Sequence, residues 1–153
     1  MIRDEYMLAA LDLAKIAYFD NEVPVGAVVV KDNQVIGKGY NQVISKNSVA
    51  AHAEIIAINN AGNFLENYRL NDCDIYVTLE PCHMCAKAIV DARINFVYFG
   101  AFEPKTGAIQ SIDFFFDRDD LNHRVGYSGG NCKEESSDLL KKFFRQRRYK
   151  PID

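Results

Sequence analysis

From residue 4 to residue 19 the apolar side chains Met7, Leu8, Leu11, Ala14 and Ile16 recur at helical spacing with charges between them, the pattern of an amphipathic helix. The period then changes. Glu22-Val23-Pro24-Val25-Gly26-Ala27-Val28-Val29-Val30 is an almost unbroken β-branched run and predicts a buried strand. Lys31-Asp32-Asn33 supplies a turn, and Gln34 to Tyr40 returns as a second strand, so a hairpin is expected. A polar loop from Asn41 to Ala50 follows. A helix should open near Ala51, run through Ile55, Ile56 and Ile58, and stop at Gly62.

The second half alternates again. Ile75-Tyr76-Val77-Thr78-Leu79 predicts a third strand that Pro81 stops, Cys82 to Ala92 a helix with Met84, Ala88 and Ile89 inward, and Phe96-Val97-Tyr98-Phe99 a fourth strand ending at Gly100. Strand, helix, strand in that order implies parallel neighbours joined by a right-handed crossover. Between 102 and 132 the pattern weakens to loops, an aromatic run Phe114-Phe115-Phe116 and a short fifth strand near Val125. A helix from about Glu135 to Arg148 closes the chain. With no internal repeat and no linker, the expectation is one three-layer α/β/α domain spanning residues 1–153.

Composition narrows the class without naming a function. The chain of 153 residues is 48% hydrophobic and 25% charged, ordinary values for a globular domain with its own core. No apolar run approaches a membrane span and the N-terminus has none of the parts of a signal peptide, so a cytoplasmic protein is expected, with no membrane partner. The net charge of −3 argues at first against nucleic acid. Its distribution reverses that inference: Lys141, Lys142, Arg145, Arg147, Arg148 and Lys150 crowd residues 139–150 with no acid among them. Such a stripe binds phosphates whatever the global sum, although cations at a helix C-terminus also simply suit the helix dipole.

Two short segments carry the chemistry. His52-Ala53-Glu54 and Pro81-Cys82-His83-Met84-Cys85 each open a helix. One imidazole and two thiolates are three ligands suited to zinc, one ion per subunit, and three protein ligands leave a tetrahedral position open for water, the mark of a catalytic site. Helix N-termini favour anionic sulfur, and two residues between Cys82 and Cys85 let both reach one ion from one turn. Glu54 would stand beside the metal without ligating it, placed to take a proton from water and return it elsewhere. A lone Cys-x-x-Cys is equally a redox pair or half of a structural zinc site, and a structural site needs a fourth ligand. His83 directly follows Cys82, so its ring should diverge from the metal. Cys73 and Cys132 carry no spacing signal and are expected to pack. Phe143 and Phe144 beside Arg145, Arg147 and Arg148 offer stacking surfaces next to cations, suited to RNA. They also belong to an apolar stripe with Leu139 and Leu140 that ordinarily packs on a sheet.

The combination His-x-Glu with Pro-Cys-x-x-Cys is the signature of zinc nucleobase deaminases. Beyond it, Glu22-Val23-Pro24-Val25-Gly26-Ala27, Tyr40-Asn41, Asn67-Tyr68-Arg69-Leu70, Thr78-Leu79-Glu80-Pro81-Cys82, Lys105-Thr106-Gly107-Ala108, Asn122-His123-Arg124-Val125 and Phe143-Phe144-Arg145 make the chain resemble the bacterial tRNA-specific adenosine deaminases of the cytidine deaminase superfamily, from about Tyr6 to Arg148. The resemblance implies a cytidine-deaminase-like fold with a five-stranded mixed sheet flanked by helices, in a homodimer. It implies conversion of adenosine to inosine at the wobble position of a tRNA anticodon stem-loop, usually of an arginine tRNA, with no DNA substrate expected. It further implies that Glu54 shuttles protons and that Asn41 contacts the flipped nucleoside, although a turn-stabilising role for Asn41 is the alternative. Glu103 and Lys105 in one loop, Asn122, His123 and Arg124 in another, and Phe143, Phe144, Arg145, Arg147 and Arg148 would embrace the anticodon loop. Glu103 stands where the family usually has aspartate. A deaminase of a free base such as guanine or cytosine, which needs no basic tail, and a non-catalytic zinc-stabilised RNA-binding module remain the other readings.

Overall fold

The computed structural model describes residues 4–148. Helix α1 (Asp4–Phe19) leads into strands β1 (Gly26–Lys31) and β2 (Gln34–Tyr40), then helix α2 (Ala53–Leu65), strand β3 (Asp74–Leu79), helix α3 (His83–Asp91), strand β4 (Phe96–Ala101), a 3₁₀ turn at Phe115–Asp117, strand β5 (Gly126–Ser128) and helix α4 (Lys133–Arg148). The five strands form one mixed sheet in the order β2-β1-β3-β4-β5. β1 runs antiparallel to both neighbours, while β3, β4 and β5 are mutually parallel, with Asp74 opposite Phe96 and Phe96 opposite Gly126. No helix among the described residues is long and apolar enough to cross a membrane.

Strand alternation builds two cores from one sheet. Ala27, Val29, Ile75, Val77, Val97 and Phe99 point to the face covered by α2 and α3, where they meet Ala53, Ala57, Ala86 and Ile89. Val28, Val30, Tyr76 and Tyr98 point to the opposite face and meet Tyr6, Met7 and Ala10 of α1. α4 lies on this second face too, against β4 and α1. The sheet is buried on both sides, which is why β1 reads as a continuous apolar run.

The faces of the helices differ in detail from their apolar residues. On α1 the buried positions are Tyr6, Met7, Ala10, Leu11, Ala14 and Ala17, whereas Leu8 and Ile16 are exposed. Small residues face inward because α1 lies almost on the β1 backbone: a Cβ on Gly26 would collide with the Ala10 carbonyl and the Ala14 amide. Met84, expected inward on α3, is likewise exposed, and Cys85, Ala86, Ile89 and Val90 are the buried set. β1 starts at Gly26 rather than Glu22. Pro24 lacks an N–H for the ladder, and the Val25 N–H turns back to the Val23 carbonyl at 2.9 Å. α2 passes through Gly62 and ends three residues later. The left-handed position falls on Glu66 (φ 55°), with the Asn67 N–H closing on the Gly62 carbonyl at 3.0 Å, so the stop lies beyond the glycine.

Candidate active site

The N-termini of α2 and α3 converge at one end of the sheet, beside the start of β1 and the end of β3. His52 and Cys82 are the residues immediately before those helices, both extended (ψ 153° and 176°), and neither side chain caps its own helix. Both turn instead toward each other. His52 Nδ1 lies 3.7 Å from Cys82 Sγ and 3.5 Å from Cys85 Sγ, and the three donor atoms all fall within 4.8 Å of one another. Tetrahedral ligation with ordinary zinc bond lengths requires N···S separations of about 3.6 Å. The triangle therefore fits a metal ion of that kind. The hydrogen-bonded sulfurs share protons unequally: a bond from the Cys85 thiol, against the cost of burial and with help from His52, holds Cys82 down at about 3, a thiolate. Cys85 is pushed up by the same bond and by burial.

Because His52 faces the sulfurs, another residue must satisfy the first free amide of α2. Asn41 does so: its Oδ1 accepts the Ala53 N–H at 2.8 Å. Asn41 thus supports the start of α2 and also lines the cavity beside the donor triangle. Glu54, one residue into α2, is buried at 4% exposure on the cavity floor. Burial raises its carboxyl to about 7, against the opposing pull of its own backbone N–H and of His52. A carboxyl balanced there accepts and donates protons at neutral pH with similar ease.

The cavity encloses about 300 Å³ and also touches Glu22, Val25, Leu79, Glu80, Thr106 and Arg147. Arg147 belongs as well to a larger groove of about 790 Å³ formed by Glu103, Lys105, Leu140, Lys141, Phe144 and Arg145. The cavity and the basic face of α4 thus adjoin at one arginine, whose guanidinium stacks 4.5 Å over the Phe143 ring and donates to the Asn21 carbonyl at 2.6 Å. The two phenylalanines divide their tasks: Phe143 is buried against Tyr18, and Phe144 is exposed at the groove. The Arg148 side chain and Lys150 lie outside the described residues.

Not every anticipated residue gathers here. Asn122 is exposed beside the C-terminal turn of α3, His123 Nε2 bonds the Ile94 carbonyl at 2.7 Å, and Arg124 donates to the Arg118 carbonyl at 2.6 Å. None of these three lines the cavity. Glu103 folds onto its own loop, accepting the Lys105 N–H at 3.0 Å. His83 turns outward to Asp113 at 2.8 Å. Cys73 is buried and Cys132 half-buried, both unpaired.

Glu22 and Glu80 were given no role by the spacing arguments, yet both are buried at the cavity. The available signal was an acid abutting each end of an otherwise apolar strand run. Burial alone would raise Glu80, but hydrogen bonds from the Gln110 N–H, the Ser111 hydroxyl and N–H and the Glu103 N–H override it and hold the carboxyl below the usual range. The folded state thus favours the ionised form. That contribution to stability is present above the pKa of an unfolded glutamate, about 4.3, and disappears as pH falls through the lower folded value. Urea unfolding measured from pH 6 downward should show stability declining through this window, with a shallower decline in Glu80→Gln.

The family model described as MafB19-like deaminase matches residues 1–148. A tRNA-specific adenosine deaminase of Haemophilus influenzae is 48% identical over 147 residues, covering 95% of this chain and 85% of that protein. Another from Rickettsia bellii is 46% identical over 142 residues, 92% and 98% of the two chains. A solved structure from work on A-to-I editing by tRNA:A34 deaminases at the wobble position of transfer RNA superposes with a TM-score of 0.88 at 43% identity, covering 90% of this chain and 100% of that one. A guanine deaminase from Nitrosomonas europaea shares the fold at a TM-score of 0.76 and 21% identity, over 93% and 84% of the chains.

Proposed function

The chain belongs to the family of tRNA-specific adenosine deaminases, within the MafB19-like deaminases, and on that premise we propose that it converts adenosine to inosine at the wobble position of a tRNA anticodon, releasing ammonia. The observation that carries this reading is the adjacency of two surfaces that share Arg147: a cavity lined by His52, Cys82 and the buried carboxyl of Glu54, and a basic groove that includes Phe144. A free-base deaminase has no use for the second surface.

His52 Nδ1, Cys82 Sγ and Cys85 Sγ would hold one zinc ion per subunit, which supplies Lewis acidity that makes water a competent nucleophile near neutral pH. Glu54 accepts the proton of the attacking water and delivers it to the ring nitrogen beside the six-position carbon of adenine. It then takes the remaining proton of that water from the new hydroxyl on the six-position carbon and passes it to the amino group, which leaves as ammonia as the C–N bond breaks. The low-dielectric floor that keeps its carboxyl near 7 suits both directions of transfer. Val25 and Leu79 offer apolar walls to the base, which must leave its stack to enter. Phe144, Arg145 and Arg147 would receive the neighbouring bases and phosphates of the anticodon stem-loop, with Lys105 and Glu103 on the facing wall. The family resemblance extends the reading to an arginine tRNA substrate, a homodimer and a cytoplasmic site of action, and to contacts from Asn122, His123 and Arg124 outside the cavity.

Incubating the purified protein with total tRNA and digesting to nucleosides should yield inosine from tRNA and no product from a panel of free bases. Turnover of free guanine or cytosine with inosine absent from tRNA would overturn the reading. Replacing Arg145, Arg147 and Arg148 with glutamine should weaken tRNA binding and reduce the slope of log affinity against log salt by roughly 2, since each phosphate contact to a single strand contributes about 0.7. Affinity unchanged at every salt concentration would remove α4 from the RNA interface.

A further inference from the structure

β1 and β3 are antiparallel neighbours, with Ala27 opposite Val77 and the Gly26 N–H donating to Thr78 Oγ1 at 3.1 Å. The residues just before β1 and just after β3 therefore emerge at the same end of the sheet, and these include Glu22 and Glu80. Both are almost fully buried and both line the cavity, yet they reach into different loops. Glu22 accepts the Ile44 N–H at 3.0 Å and the Ser45 N–H at 2.8 Å, in the segment 41–50. Glu80 accepts the N–H groups of Glu103 (3.0 Å), Ile109 (3.1 Å), Gln110 (2.7 Å) and Ser111 (2.9 Å), with the Ser111 hydroxyl as a further donor, in the segment 102–111.

Neither segment contains a helix or a strand, so these amides have no ladder to join. Six backbone N–H groups are satisfied by two carboxylates. Each side chain brings two acceptor oxygens to the amides of one loop, and at Glu80 both oxygens are shared among the four N–H groups and the Ser111 hydroxyl. Both segments line the cavity. One contributes Asn41, Val43 and Ile44, and the other contributes Thr106 and continues through Lys105 into the basic groove.

We propose that Glu22 and Glu80 are paired positioning residues that hold these two lining segments at the separation that admits a nucleotide from an RNA loop. The inference rests on the tRNA reading above for the identity of what is admitted. Neither residue needs to touch the reacting atoms; each acts through the backbone it grips. Displacement of a binding group by about 1 Å costs on the order of 10²-fold, so a loosened wall has a measurable consequence.

Glu22→Gln and Glu80→Gln keep the side-chain shape but turn an amide donor toward backbone donors, and Ser111→Ala removes only the hydroxyl bond to Glu80 should the former fold poorly. Amide hydrogen exchange should quicken around 44–45 alone in Glu22→Gln and across 103–111 alone in Glu80→Gln, with Ser111→Ala a weaker version of the latter. Zinc content should hold. With an anticodon stem-loop RNA as substrate, KM should rise roughly tenfold while kcat changes less than about threefold. Unchanged exchange, exchange raised throughout the molecule, or a fall in kcat at constant KM would overturn the proposal, the last because a merely destabilised enzyme loses active fraction. If the wild type makes no inosine in RNA, the tRNA reading has failed, and the localised exchange alone then decides whether the clamps exist.

Discussion

Glu54→Gln should bind its metal in full, keep its fold and lose about 10²–10⁴-fold in turnover of adenosine in tRNA. Glutamine preserves the volume at a position exposed by only 4%, so the packing around α2 has no reason to change. Removing the charge also relieves the desolvation that raises this carboxyl to about 7, so the variant should be no less stable than the wild type. What disappears is the ability to take up and return a proton within reach of the cavity. Inosine formation measured beside zinc by elemental analysis and a thermal melt separates these effects. Activity within a few-fold of wild type would show that another group moves the proton.

The second large effect is expected of Cys85→Ser. Its sulfur is fully buried and bonded to both His52 and Cys82, so the oxygen replacing it sits too far back and is too poor a thiolate substitute to complete the triangle. Zinc content should drop to a small fraction of one ion per chain, and activity should fall with it below detection. Stability should drop as well, since an ion that binds only the folded state stabilises it by RT ln(1 + [L]/Kd), about 4 kcal/mol at a thousandfold excess over Kd. Chelation of the wild type should reproduce that shift in the urea midpoint, which links the loss to the metal rather than to the mutation. A Cys85→Ser protein that deaminates tRNA at the wild-type rate without metal would refute the site.

The sequence made the grouping of His52, Cys82 and Cys85 legible because a histidine and a cysteine each stand at the foot of a helix, with Cys85 one turn further in. The sheet was legible too, since β1, β3 and β4 are buried on both faces and leave uninterrupted apolar runs. Detail failed where tertiary contact overrides local pattern. Leu8, Ile16 and Met84 satisfy helical periodicity but stand outward, because only part of each apolar set can face inward: Tyr6, Met7, Ala10, Leu11, Ala14 and Ala17 take the buried side of α1, and Cys85, Ala86, Ile89 and Val90 that of α3. Glu22 and Glu80 escaped notice for a related reason. Their partners are backbone amides twenty and more residues away, and no residue pattern announces a hydrogen bond to a main chain.

Asn41 biases what the cavity can recognise. With one lone pair of its carbonyl oxygen committed to the first amide of α2, the side chain keeps its NH₂ and one further lone pair. It can therefore offer a guest two hydrogen atoms against a single remaining lone pair, so it favours a partner that presents an oxygen or an unprotonated nitrogen. The same asparagine that secures the helix carrying Glu54 thus tilts the polarity of whatever lies against it, so support and selection share one amide.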